Sequence, residues 1–124
     1  LPTDAEWMML ERHLGMDAGE LEGLENWRGH AGELLKTGEQ GIGFDALYGG
    51  AAVYALSTAY NSRYVYKNEG AYFWSSDQIV ISDSLSNGIV RNISLYHSGI
   101  RRMTSRLIST TENVRPSYSV RLVK

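Results

Sequence analysis

The opening segment constrains the fold of this chain more than any other part of the sequence. Residues 3–6, Thr-Asp-Ala-Glu, have the form of a capping box, in which the Thr3 hydroxyl accepts from the backbone N–H of Glu6 and the Glu6 carboxylate reaches back. The apolar stripe that follows at helical spacing consists of Trp7, Leu10 and Leu14. Because Gly15 then stands where glycine often ends a helix, the pattern predicts a helix over residues 4–14 that buries Trp7.

The remainder of the chain changes from helical to strand-like patterning. Residues 16–42 are acidic and rich in glycine, and a second helix fits either Gly19–Trp27 or Ala31–Lys36. Beyond residue 52, strands are predicted at Ala71–Ser75, Gln78–Ser82, Ile89–Tyr96, Ile100–Leu107 and Tyr118–Val123, with a hairpin turn at His97-Ser98-Gly99. This order predicts an α+β fold, with N-terminal helices packed on a small twisted antiparallel sheet with long loops.

Large side chains on the apolar faces of these elements are expected to fill the core, because each removes a large apolar area from water. In the last predicted strand, Val120 and Leu122 alternate with polar residues, which assigns them to the buried face. The predicted core residues are Trp7, Leu10, Leu14, Phe44, Phe73, Trp74, Val120 and Leu122.

Composition limits the function classes that are open to the chain. Its 124 residues are the size of one domain, and its net charge of −2 argues against a nucleic-acid-binding protein. It has no cysteine for a disulfide, a thiolate nucleophile or a metal site, and no apolar stretch approaches the roughly 18 residues of a membrane helix. Because the sequence starts at Leu1, we expect residues 1–124 to be a single domain of a longer, processed protein, with any export signal out of view.

Charge is distributed unevenly along the sequence. Residues 1–62 hold ten acidic and three basic side chains, whereas residues 63–124 hold four acidic and nine basic ones. One interpretation is that the two halves attract each other inside the domain. The alternative is a basic face for an anionic ligand, which would be built from Arg101, Arg102, Arg106 and Arg115.

Tyrosines are concentrated where recognition loops are expected. The segment 51–70 mixes tyrosine with Asn, Ser, Arg and Lys, a composition that recognition loops favour because tyrosine offers a large contact area at a small entropic cost. A second cluster surrounds the predicted hairpin turn. The candidate ligand-binding residues are Tyr60, Tyr64, Tyr66, Tyr96, Arg101 and Arg102. The alternative is that these tyrosines pack a long loop onto the body of the domain.

Catalytic and metal-binding patterns are weak. The three histidines, His13, His30 and His97, lack the spacing of metal ligands and are interpreted as surface residues. Oxygen ligands for calcium occur at Asp77, Asp83 and Asn87 and at Glu112-Asn113, but turn formation explains them equally well. Ser75 and Ser76 have no Gly-x-Ser-x-Gly elbow, and the glycines near residue 42 form no phosphate loop. We therefore predict a protein without enzymatic activity or cofactor, with calcium binding as the alternative.

Five landmarks, in order from the first residue to the last, resemble the Fibrobacter succinogenes major paralogous domain family. Residues 1–7 resemble its LPT-x-x-EW opening, and residues 43–50 resemble its GFSALPGG segment. Trp27-Arg28-Gly29 with residues 32–36, Tyr-Phe-Trp-Ser-Ser at residues 72–76, and the closing SYSVRLVK match further blocks. The chain departs from the pattern at Tyr48, where proline is usual, at Leu122, where cysteine is usual, and in a longer segment at residues 51–71.

The resemblance implies a C-type-lectin-like fold, similar to that of formylglycine-generating enzymes, in exported or lipid-anchored proteins of Bacteroidetes and Fibrobacteres. The oxidase chemistry of those enzymes needs a pair of cysteines, which this chain lacks. We therefore expect a non-enzymatic domain at a bacterial cell surface that recognises a glycan or protein ligand. The alternatives are a structural module of a surface fibre or multidomain lipoprotein, a retroelement-diversified variable protein, and a hydrolase whose site the sequence does not reveal.

Overall fold

The computed structural model describes residues 1–55, 63–83, 85–106 and 114–121 and has an α+β architecture, as predicted. Its first part holds helix α1 at Asp4–His13, a 3₁₀ turn at Ala18–Glu20, strand β1 at Trp27–Arg28 and helix α2 at Ala31–Leu35. The strands that follow are β2 at Ala51–Ala55, β3 at Arg63–Val65, β4 at Gly70–Ser82, β5 at Leu85–Ser94, β6 at Ile100–Arg106 and β7 at Val114–Ser117.

Helix α1 forms where the capping box places it. Thr3 Oγ1 accepts from the Glu6 N–H at 3.1 Å, and Glu6 Oε2 accepts from the Thr3 N–H at 2.7 Å. Gly15 follows the helix with a φ of 97°, a left-handed conformation that glycine adopts without strain. The prediction of a helix over residues 4–14 is therefore confirmed.

The main sheet has four antiparallel strands in the order β1-β6-β5-β4, so that β4, β5 and β6 form the predicted meander. The two strands predicted at residues 71–75 and 78–82 are one strand, which is interrupted by a change of register between Trp74 and Gln78. This irregularity lets Asp77 leave the ladder, and its carboxylate accepts from the Asp4 N–H at 2.6 Å. A smaller sheet, in the order β3-β2-β7, completes the described part of the fold.

Two other predicted elements differ from those observed. Of the two positions for a second helix, the structure has the one at residues 31–36, and only a 3₁₀ turn lies near residues 19–27. The strand predicted at Tyr118–Val123 is wrong over its described residues, because pairing within residues 118–121 is limited to one bridge between Ser119 and Phe73. Without a continuing ladder, Val120 is 56% exposed and is not a core residue. Leu122 lies outside the described residues.

The core lies between α1 and one face of the main sheet. Trp7 is buried there with Phe73, and the partly buried Phe44 packs against both rings, with ring centroids 5.8–6.0 Å apart. Leu10 and Leu14 are half-buried at the edge of this cluster. The core assignment of Trp74 needs correction, because neighbouring residues of a strand point to opposite faces. Since Phe73 faces the helix, Trp74 lies on the outer face and packs against Tyr118.

A cluster of buried ion pairs joins α1 to the sheet beside this core. Glu11 is fully buried and accepts from Arg91 Nε and from Arg28 Nη2. Asp4 accepts from Arg91 Nη1 at 2.7 Å and from Arg102 Nη2 at 2.6 Å. The buried face of α1 therefore consists of Asp4, Trp7 and Glu11, two carboxylates that flank a tryptophan. These pairs show that the acidic and basic halves of the sequence attract each other inside the domain.

The Asp4 carboxylate makes the stability of the domain depend on acid pH. Burial alone would raise the pKa of Asp4, but hydrogen bonds and attraction from Arg102 and Arg91 outweigh it and hold the pKa below the usual 3.8. Because the unfolded chain then binds a proton more readily than the native one, this contribution is complete above about pH 5 and declines as the pH falls through 4. We expect urea unfolding midpoints to decrease over this range in the native protein, and less steeply in an Asp4→Asn variant. Equal slopes would contradict the prediction.

Candidate functional site

A cleft on the outer face of the main sheet gathers aromatic and polar side chains. Its floor is a row of four residues, one from each strand, because Tyr72 pairs with Asn92, Asn92 with Arg101, and Arg101 with Trp27. The cleft has a volume of about 240 Å³. It is lined by Trp27, Tyr66, Glu69, Gly70, Tyr72, Asn92, Ser94, Tyr96, His97 and Arg101.

The rim of the cleft is formed by the turns at the ends of the strands. Tyr66 is exposed in the turn after β3, with a φ of 57°, and its carbonyl accepts from the N–H groups of Glu69 and Gly70. A bulky residue rarely adopts this left-handed conformation, which is associated with functional positions. Across the rim, the exposed Tyr96 donates its hydroxyl to Glu69 Oε1 at 3.1 Å. The turn thus presents an aromatic ring and a carboxylate together.

Arg101 is the cation of the cleft, and Glu25 orients it. Arg101 Nη2 donates to Glu25 Oε2 at 2.9 Å, while Glu25 Oε1 accepts from the N–H of Thr104 on the same strand at 2.8 Å. The Arg101 Nε atom is buried and has no hydrogen-bond partner among the residues that the structure describes. An unpaired buried donor is unusual in a folded protein.

Aromatic rings pack against one another on both sides of the cleft. The ring of His97 stacks on that of Trp27, with centroids 4.1 Å apart and planes 11° apart. On the other side, Tyr72 lies between Tyr66, at 6.0 Å, and Tyr118, at 5.4 Å. Such contacts fix the ring positions, so that a ligand does not have to order them on binding.

Tyr72 and Tyr96 remain hydrogen-bond donors at neutral pH. Burial raises the pKa of Tyr72, and the neighbouring Tyr66 and Tyr118 add to the effect. The hydrogen bond to Glu69 raises the pKa of Tyr96. Because a tyrosine hydroxyl ordinarily titrates near pH 10, these shifts keep both hydroxyls protonated over the physiological range.

The structure brings together three of the six candidate ligand-binding residues, Tyr66, Tyr96 and Arg101. Arg102 does not join them, because it is the next residue along β6 and therefore faces the helix, where it is committed to Asp4. Its prediction as a surface binding residue is wrong. Tyr64 lies in β3, where only the backbone is described, and Tyr60 lies outside the described residues.

Two of the four arginines of the basic face predicted for an anionic ligand are paired with carboxylates. Arg102 is internal, and Arg101 is paired with Glu25, so neither offers an uncompensated charge. Only the backbone of Arg106 and Arg115 is described. Glu25 neutralises Arg101, and the Glu69 carboxylate accepts from Tyr96, so Arg101 offers no free charge to an anion, and this arrangement favours a neutral ligand that both donates and accepts hydrogen bonds.

Seven residues of the cleft were not among the candidate ligand-binding residues: Trp27, Glu69, Gly70, Tyr72, Asn92, Ser94 and His97. A hairpin turn confined to residues 97–99 would pair Tyr96 with Ile100, but the observed turn between β5 and β6 spans residues 95–99 and changes this register. Pairing Ile93 with Ile100 across that turn places Asn92 opposite Arg101, and strand alternation separates Tyr72 from the buried Phe73. Trp27 gives no comparable signal, because its strand is only two residues long.

Among the described candidate calcium ligands, Asp77 has a structural hydrogen bond. Asp77 accepts from the N–H of Asp4, and Asp83 is exposed in the turn after β4. Asn87 lies on β5, and Glu112-Asn113 lies outside the described residues. In the part of the chain that the structure covers, no three His, Cys, Asp or Glu side chains form a group that could hold a metal ion.

The fold and the cleft define a small α+β domain that presents aromatic and polar side chains on the outer face of an open sheet. The model of the Fibrobacter succinogenes major domain matches residues 1–124, and the chain belongs to that family. No curated protein and no solved structure matches the chain. None of the helices in the described segments is long and apolar enough to cross a membrane.

Proposed function

We propose that this domain is a non-enzymatic recognition module that binds a glycan in the cleft on the outer face of its main sheet. The observation that carries the proposal is the row Tyr72–Asn92–Arg101–Trp27, which combines aromatic rings with planar hydrogen-bonding groups on rigid strands. A sugar offers the matching chemistry, because its C–H face packs against aromatic rings and its hydroxyls both donate and accept. Sites on strands hold such groups more accurately than loops do.

The size and charge of the cleft support a short, neutral sugar unit. Its volume of about 240 Å³ is below the roughly 300 Å³ at which pockets for drug-sized ligands begin. Glu69 supplies acceptors and Arg101 supplies donors, and each already has one protein partner that fixes its position. A ligand with adjacent hydroxyls would bridge such groups without burying an unpaired charge.

We propose further that the fold is a variant of the C-type-lectin-like fold and that the domain acts outside the cell, at a bacterial surface. An N-terminal helix against an antiparallel meander, with the C-terminal segment beside β4, is consistent with the first statement. Recognition is favoured over the structural module. The edge of β4 is engaged at Trp74 by Ser119 and at Ser76 by Pro2, so this stretch is not open to a strand from another protein.

Single substitutions in the cleft should remove glycan binding without unfolding the domain. We expect Trp27→Ala and Arg101→Ala each to weaken binding at least tenfold to any glycan that the native domain retains on an array of neutral and acidic sugars. The reason is that aromatic and arginine side chains at the centre of a site dominate its binding energy. Affinities would be measured by calorimetry with the strongest neutral glycan of the array.

Arg121→Ala is the matched control for the arginine variant. Arg121 lies over the ring of Phe44, 4.3 Å from its centroid, and does not line the cleft. It should bind like the native domain. The proposal is rejected if no glycan binds, or if binding withstands both cleft substitutions. Selective retention of acidic glycans would reject the neutral ligand class while leaving the cleft as the site.

A further inference from the structure

A second surface, on the far side of the molecule from the cleft, has the features of a contact between two copies of this chain. It is a groove of about 740 Å³ between the outward face of α1 and the segment that follows the 3₁₀ turn. Ala5, Met8, Met9 and Leu21 give it an apolar centre, and Met9 is 72% exposed. Apolar side chains grouped in this way on a surface mark an interaction site, and methionines adapt well to a partner.

The groove carries opposite charges at its two ends. Arg12 lies at the C-terminal end of α1, where it donates to the Met16 carbonyl at 2.8 Å. Glu22 lies at the other end, because its carbonyl accepts from Arg102 Nη1, and Arg102 holds Asp4 at the start of the helix. The segment from the 3₁₀ turn to Glu22 therefore runs back along α1, and the positive and negative ends are separated by the apolar centre.

Two copies of the groove, placed face to face in opposite directions, have complementary charges. A two-fold axis through the middle of the groove would place Arg12 of one copy against Glu22 of the other, while the two Met9 side chains meet near the axis. A purely apolar peptide in the groove would leave both Arg12 and Glu22 without a partner of opposite charge. We propose that the domain associates through this groove into a weak, two-fold symmetric dimer with the α1 helices antiparallel. The inference is independent of the glycan site.

Sedimentation velocity of the native domain, from low micromolar to millimolar concentration, tests the proposal. We expect a reversible rise from the monomer mass of 13.9 kDa to twice that value. Met9→Lys should raise the dissociation constant at least tenfold, because it buries a charge at the centre of the contact while lysine preserves the helix. Val80→Lys is the matched control, since Val80 is also 72% exposed but lies on β4, away from the groove.

Reversing the charges at the two ends of the groove tests whether the dimer is two-fold symmetric. Arg12→Glu and Glu22→Arg should each weaken the dimer, because each places like charges opposite one another, whereas the double variant should restore it. A native domain that remains monomeric throughout overturns the proposal. So does a dimer that Met9→Lys leaves intact, or one that the double variant fails to restore. Circular dichroism of every variant separates loss of association from loss of fold.

Discussion

Glu11→Gln is expected to remove a large part of the stability of the domain, although it replaces one oxygen by an NH₂ group and changes almost no volume. The Glu11 carboxylate has no exposed area and holds two arginines, Arg91 and Arg28, whose side chains are also buried. Removing one partner of a buried ion pair leaves an uncompensated charge and costs about 3–5 kcal/mol. Since a domain of this size has about 5–15 kcal/mol of stability, the variant should lose a large share of it.

Urea unfolding, followed by circular dichroism, measures this loss as a large decrease in midpoint with an unchanged slope. Glu39→Gln is the control, because Glu39 is exposed and no ion pair between described residues includes it. Its midpoint should match that of the native protein. If Glu11→Gln unfolds at the native midpoint, the Glu11 ion pairs do not hold α1 on the sheet, and the Asp4 pairs and the apolar packing around Trp7 must do so.

This cluster also shows what sequence patterns could not predict. The capping box, the apolar stripe and the meander depend on neighbouring residues, and all three are confirmed. By contrast, Asp4 and Glu11 are charged positions on a helix, which normally face water. Their burial depends on Arg91, which is 87 and 80 residues away in the sequence, and no local pattern connects them. Only the opposite net charge of the two halves indicated an attraction, without identifying its residues.

In the candidate site, too, some residues could be predicted from local sequence and others could not. Tyr66, Tyr96 and Arg101 were predicted because tyrosine and arginine near turns are typical of recognition surfaces. Arg102 shares that composition but belongs to the other face of β6, so composition without strand alternation assigns it wrongly. Trp27 reaches the cleft only because β1 pairs with β6, a contact between residues far apart in the chain. The sequence therefore indicates which residue types bind, and the topology determines which of them meet.

The second large effect on stability is expected at Gly32, where the backbone of a neighbouring turn packs against helix α2. Its direction is opposite to the one that helix propensity predicts. Gly32 lies in α2, where alanine ordinarily stabilises a helix by about 1 kcal/mol relative to glycine. A Cβ at Gly32, however, would overlap the carbonyl of Gly99 and lie 2.9 Å from that of Ser98. The Glu33 N–H donates to the same Ser98 carbonyl at 2.8 Å, so helix and turn cannot separate without losing that hydrogen bond.

We therefore expect Gly32→Ala to destabilise the domain by about 3 kcal/mol, at the upper end of the usual cost of overpacking, because the obstacle is backbone rather than a movable side chain. Gly19→Ala is the control, since nothing lies within 4 Å of a Cβ there, and it should be neutral or slightly stabilising. The melting temperatures of both variants, compared with that of the native domain, test this prediction. If Gly32→Ala instead raises the melting temperature, helix propensity outweighs the contact, and α2 is free to move away from the turn that carries His97 into the cleft.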